Sequence, residues 1–331
     1  MVMTQGGYDA MRGRRTMVLG KKIERRLFVA GGAALLVGGA LVSATKAQEE
    51  EGERNVDDSF SNTIISQMGY PEFTVTVGPS GVIAPSMLDA GYYYVTLVPE
   101  RPEHMGYLDF VQPPAGLDAD TERAQMLDAG RNDLMQPDWV YAGGTNSPNP
   151  GESANFIIEL KPGDYKIAAS YYEVTENAEE IMTLLPLAVA EPATPVAQSE
   201  PAATVLLEET DELRYIITPG EVPAGPNVWK IANTGMHHAH HMVMVRIPDD
   251  LTAEEIIRDF TSLMLGTPGP RPDWMTSAEG FGYAALQSGG QTTWAEFDLD
   301  PGKYCLICYI MEPGVFRPHL MDGMVTTFTV A

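Results

Sequence analysis

Two stretches of the chain repeat one another: Leu160-Lys161-Pro162-Gly163-Asp164-Tyr165 and Leu299-Asp300-Pro301-Gly302-Lys303-Tyr304. Each places a Pro-Gly turn in front of a β-rich run, a pattern that reads as a strand entered from a tight corner. The echo is not isolated. Ala90-Gly91 before Tyr92–Val98 returns as Ala224-Gly225 before Val228-Trp229-Lys230-Ile231, and Pro137-Asp138-Trp139 returns as Pro272-Asp273-Trp274. A helical pattern from Asp118 to Leu127 is matched by one from Leu251 to Leu265, where Thr252 and Glu255 form a capping box. From the first echo to the last the offset drifts only from 134 to 139 residues. Ordered self-similarity at one period means a duplicated unit, so the chain must fold as two versions of one strand-rich domain.

The remaining text sets the boundaries. Residues 1–47 carry Arg12, Arg14, Arg15, Lys21, Lys22, Arg25 and Arg26 ahead of the apolar run Leu27–Val42, with small residues at Thr45 and Ala47. This is the layout of an export signal. Arg25-Arg26-Leu27-Phe28-Val29 further resembles a twin-arginine signal, with Glu24 where Ser or Thr is usual. The expectation is an exported chain, periplasmic or extracellular, with no membrane span once the signal is cleaved. An uncleaved signal would leave it anchored by its N-terminus, although sixteen apolar residues fall short of the about 20 needed to cross a bilayer. Residues 48–70 begin as an acidic, disordered segment. Residues 71–185 form the first domain, the Ala/Pro-rich text of 186–204 a linker, and 205–331 the second domain.

Charge narrows the class of partner. The formal net charge is −24, and removing 1–47, with its eight Lys/Arg and two Asp/Glu, leaves 13 basic and 43 acidic residues, a charge of −30. Such a surface repels nucleic acid and steers cationic partners. The only two cysteines, Cys305 and Cys308, share one strand-like run, which argues against a disulfide framework. Residues three apart on a strand face opposite ways, so Cys305 is expected to pack and not to meet Cys308.

The chemistry concentrates at the end of the chain. Cys308 is followed by His319 after ten residues and by Met324 after four more, while Asn233-Thr234-Gly235-Met236-His237-His238-Ala239-His240-His241-Met242 supplies further imidazoles. Thiolate, imidazole and thioether are ligands that suit copper. At these two stretches the chain resembles the cupredoxins, the blue (type 1) copper proteins. In that family an Asn-x-Gly turn precedes the first ligand His, and Pro-Gly-x-Tyr-x-x-x-Cys leads to Cys, His and Met.

The resemblance implies an all-β fold of two tandem cupredoxin-like Greek-key β-sandwiches, each with a short inserted helix. It implies one type 1 copper held by His240, Cys308 and His319, with Met324 as weak axial ligand. His241 competes with His240, because a register error of one residue swaps their faces. Met321 competes less well with Met324. His237 and His238 are expected in the loop, exposed or behind the ligands. The Cys308–His319 interval, with Glu312-Pro313-Gly314, is much longer than in plastocyanin-like loops. Ala169 stands where Cys308 stands in the second half, so the first domain is expected to lack copper.

The function implied is one-electron transfer with a redox partner protein of cationic surface. Two alternatives stay open: a copper-handling protein that uses the His cluster and nearby methionines as a surface site, and a metal-free interaction protein. Multicopper oxidases and copper nitrite reductases resemble the two-domain layout but need a second copper centre. Cys308 is flanked by Ile307 and Tyr309, and the chain has six histidines in all, so the expectation is that it is not an enzyme.

Overall fold

The computed structural model describes residues 63–331, apart from 133, 137, 174–179, 195–197, 268 and 316. Residues 1–47, expected to be an export signal, and residues 48–62 of the expected acidic segment lie outside the described residues. Among the described residues no helix is long and apolar enough to cross a membrane.

The first half runs β1 (Glu72–Gly78), β2 (Gly81–Ile83), β3 (Met87–Asp89), β4 (Gly91–Pro99), β5 (His104–Gln112), helix α1 (Ala119–Asn132), β6 (Val140–Asn146), β7 (Ala154–Leu160), β8 (Gly163–Glu173) and β9 (Ile181–Ala190). The second half repeats it: β10 (Val205–Thr210), β11 (Arg214–Thr218), β12 (Glu221–Val222), β13 (Gly225–Asn233), β14 (His240–Ile247), α2 (Ala253–Met264), α3 (Asp273–Ser277), β15 (Glu279–Gln287), β16 (Thr292–Leu299), β17 (Gly302–Ile307) and β18 (Val325–Val330). Pairing repeats with the order. β1 runs parallel to β4 as β10 does to β13, β5 pairs with β8 as β14 does with β17, and β3 lies parallel to β9 as β12 does to β18. Each half is a cupredoxin-like β-sandwich with its helix inserted before the sixth strand.

The halves are joined through their sheets. An eight-stranded sheet runs β11-β10-β13-β16-β7-β4-β1-β2, and a ten-stranded sheet runs β12-β18-β17-β14-β15-β6-β5-β8-β9-β3. The seams pair equivalent strands: Trp294 with Ile157 and Gln287 with Ala142. Joining edge to edge removes four open strand edges that would otherwise invite aggregation. Gly143 allows the close approach at the seam, since its φ is +105° and a Cβ there would lie 2.5 Å from Thr293 Cγ2. A cavity of about 370 Å³ is lined by Thr145, Asn155, Tyr283 and Phe297 among others; His240, Cys308 and His319 do not line it.

The repeated motifs have physical jobs. In the Pro-Gly-x-Tyr strand the Tyr304 hydroxyl donates to the Asp300 carbonyl (2.9 Å), and Tyr165 makes the matching bond to Lys161. In the Pro-Asp-Trp motif Trp274 donates its indole N–H to Asp259 of α2, as Trp139 does to Gln125 of α1 (2.9 and 2.8 Å). Each Trp thus pins its helix to the outer face of the ten-stranded sheet. The capping box is present, with Glu255 N–H donating to Thr252 Oγ1 and Thr252 N–H to the Glu255 carboxylate.

Two expected boundaries are corrected. Residues 186–190, read as linker, finish strand β9, because Pro186, Leu187, Ala188 and Val189 pair with β8 and Leu187 and Val189 fill the core. Proline is tolerated there because β9 carries only the short β3 on its far side, pairing from Ala188 onward. Residues 65–68, read as the end of a disordered segment, form a 3-10 turn. Ile65 packs with Tyr94, Ile157, Val228 and Trp294 across the seam, and its N–H donates to Glu296 (3.1 Å).

Candidate metal centre

Strand alternation distributes the cysteines as expected. Tyr304, Leu306 and Cys308 face the core between the sheets, whereas Cys305, Ile307 and Tyr309 face the helix-covered side. Both thiols are free. On β14 the same rule separates the two adjacent histidines. His241 turns to the helix side, where its Nε2 accepts the Tyr309 N–H (3.2 Å) and its ring lies between Tyr283 and Tyr309. His240 turns inward.

His240, Cys308 and His319 are brought together. His240 Nδ1 is 3.2 Å from His319 Nδ1, which is 3.7 Å from Cys308 Sγ, and the three donor atoms lie within 4.8 Å of one another. Donors about 2.0–2.3 Å from one shared ion adopt such spacings. All three residues are at most 2% exposed. Burial first, then the neighbouring His319 and His238, pushes His240 down to about 3, so its ring is neutral, the form that binds metal. Burial pushes the Cys308 thiol up to about 12. The backbone N–H groups of His241 and Ile310 oppose that rise by favouring a thiolate, while the Tyr215 hydroxyl donates to the His241 carbonyl. Two neutral imidazoles and a thiol turned to one dry point, with donors prepared for the sulfur as an anion, fit a soft or borderline cation such as copper.

Backbone hydrogen bonds lock the loop that carries the set. His319 N–H donates to the Ile310 carbonyl, Leu320 N–H to that of Cys308, Cys308 N–H to that of Met324, and Met324 N–H to that of His319 (2.9–3.3 Å). Met324 is fully buried in the same apolar cluster as Cys308, while Met321 sits with the helix-side residues. Upstream, Asn233 builds the turn: its side chain accepts the Gly235 N–H and donates to the carbonyls of His238 and Gln287. Asp211 then accepts the N–H groups of Met236, His237 and His238.

His238 and Glu312 were missed as a pair. His238 Nδ1 contacts Glu312 Oε1, which is 3.5 Å from His319 Nε2, and these three also form a set able to hold an ion. No spacing rule pairs two loops 74 residues apart. Glu209 was missed as well. It is wholly buried with both carboxylate oxygens lacking a hydrogen-bond partner, and burial pushes it up to about 8. In the first half His104 opens β5 as His240 opens β14, but buried Ala169 replaces the thiol, and the nearest additional donors are the exposed Glu103 and Glu173.

Several solved structures are similar to this chain. An auracyanin from the photosynthetic bacterium Roseiflexus castenholzii shares 23% identity over 38% of this chain and 94% of its own (TM-score 0.26). A copper-containing nitrite reductase from Thermus scotoductus shares 11% over 79% of this chain and 62% of its own (TM-score 0.21). The multicopper oxidase McoA from Aquifex aeolicus shares 12% over 84% and 70% (TM-score 0.21). No protein-family model matches the chain, and no curated protein matches it.

Fold and site together define a tandem cupredoxin-like protein with a His-Cys-His set in its second half. One expectation is corrected: a copper-containing nitrite reductase and a multicopper oxidase are among the structures this chain is similar to, so the histidine count does not establish a non-enzymatic character.

Proposed function

We propose that the chain is an exported copper protein whose second half holds one type 1 copper through His240, Cys308 and His319, with Met324 as weak axial ligand, and that it passes single electrons. The observation that carries this reading is the convergence of two Nδ1 atoms and one Sγ in a buried pocket. Bound copper would supply a Cu(I)/Cu(II) couple. The residues supply the rest. The interlocked backbone of 308–324 holds the donors in place, so they need move little when charge changes. The apolar shell of Met242, Met244, Leu306 and Met324 keeps water out, and the groups around Sγ set how strongly it donates.

The first half would act as a packing and docking partner, and the acidic surface would meet a cationic redox protein. The basic and apolar residues of 1–47 support export. The test is visible absorption of the copper-loaded protein. An intense thiolate-to-copper band that disappears in Cys308→Ser is expected; its absence from the parent protein would overturn the reading. Binding of more than one copper, colourless and not reversibly oxidised, would favour copper handling instead.

A further inference from the structure

The long interval between Cys308 and His319 carries more than slack. Its residue Met311 is bridged to Leu134 of the first half and to Pro318, and Met135 N–H donates to the Met311 carbonyl (2.9 Å). The next residue, Glu312, starts a tight turn closed by the Val315 N–H (3.2 Å). Its carboxylate is thereby delivered to the far side of the His319 ring. Nδ1 of that ring faces Cys308 and His240, while Nε2 lies 3.5 Å from Glu312 Oε1. Nε2 is buried and has no hydrogen-bond partner, so the carboxylate is one small side-chain movement from meeting it. The same Oε1 contacts His238 Nδ1, and His238 is itself held by its N–H to Asp211 (3.3 Å).

A ligating imidazole whose other N–H donates to a carboxylate is fixed in orientation and becomes a stronger donor. The negative charge also favours the more positive oxidation state of an ion behind the ring. We infer that Glu312, oriented by His238 and by the Leu134–Met135 segment of the first half, is a positioning residue that fixes the His319 ring and favours oxidised over reduced copper. This rests on the copper reading above and gives the first half a role at a centre whose ligands all come from the second.

The experiment uses the copper-loaded full chain and reads reduction potential and the Cu(II) EPR spectrum. Glu312→Gln is expected to keep the absorption band yet weaken Cu(II) binding relative to Cu(I) about tenfold, within the range that such outer contacts contribute. That change reads as a potential raised by about 59 mV. Glu312→Asp, which keeps the charge, should recover part of the shift. Glu254→Gln, an exposed carboxylate on α2, should leave the potential unchanged.

An unchanged potential in Glu312→Gln, or an equal shift in Glu254→Gln, would overturn the inference. So would a second equivalent of Cu(II) or Zn(II) that binds the parent protein and is lost in Glu312→Gln, because the carboxylate would then be a ligand. A parent protein without the absorption band sinks the copper reading itself, a separate result.

Discussion

Met135 of the first half donates its backbone N–H to the carbonyl of Met311, inside the loop that separates Cys308 from His319. The loop between two of the donors is therefore anchored by the other half of the chain. Met135→Pro, which removes that N–H, should cost about 1 kcal/mol of stability. It should also broaden the copper(II) EPR lines, because the loop loses an anchor. Denaturant unfolding and EPR of the same preparation check both.

His240 and His241 should behave oppositely. His240→Ala is expected to abolish the absorption band. His241→Ala should retain it but destabilise the fold by about 2–4 kcal/mol, since it removes the ring nitrogen that accepts the Tyr309 N–H and opens a cavity beside Tyr283. Paired absorption and unfolding curves separate the two outcomes.

The metal-free protein should be most stable between acid and alkali, for opposed reasons. Burial pushes His240 and His241 from 6.5 down to about 3, so the unfolded chain binds protons that the folded rings refuse. Stability therefore falls as pH drops from about 6.5 to about 3. Burial pushes Glu209 from 4.5 up to about 8, so the folded chain keeps a proton the unfolded chain loses. That contribution is lost as pH rises from about 4.5 to about 8. Glu209→Gln should flatten the alkaline limb by an amount on the order of 5 kcal/mol. Denaturation midpoints from pH 5 to 9 measure it.

Copper removal should lower the melting temperature and leave the folded state populated, because the core clusters of both halves are apolar and do not depend on the ion. Free copper at about a thousand times its dissociation constant would add about 4 kcal/mol. Calorimetry with and without a chelator gives the difference. Cys308→Ser should lose most of it.

Helix α2 offers a control remote from the centre. Thr252→Ala removes the hydroxyl that accepts the Glu255 N–H, leaves the Thr252 backbone N–H bonded to the Glu255 carboxylate, and should cost about 1 kcal/mol. The absorption band should not change.

Much of this was legible in the residues. The duplicated order of motifs foretold two copies of one sandwich, and the strand period foretold that Cys305 and Cys308 would face apart. Local rules suffice there, since turn chemistry and alternation depend only on near neighbours. His240 was preferred over His241 through the family resemblance and not through the strand period, because both readings satisfy the period and only the actual pairing with β17 sets which ring faces Cys308. The 3-10 turn at 65–68 and the strand at 186–190 were missed for a related reason. Their order comes from partners about 20 to 230 residues away.

The amino-acid order by itself determined the class of fold, the duplication and the kinds of donor available, because each is written in short-range patterns of polarity and turn residues. Tertiary structure alone decided that sheets run continuously through both halves, that one of two adjacent rings meets the thiol, and that Glu312 sits behind His319. Those are facts of distance between segments far apart in the chain. Distance of that kind is set by the packing of whole sheets and carries no local signature.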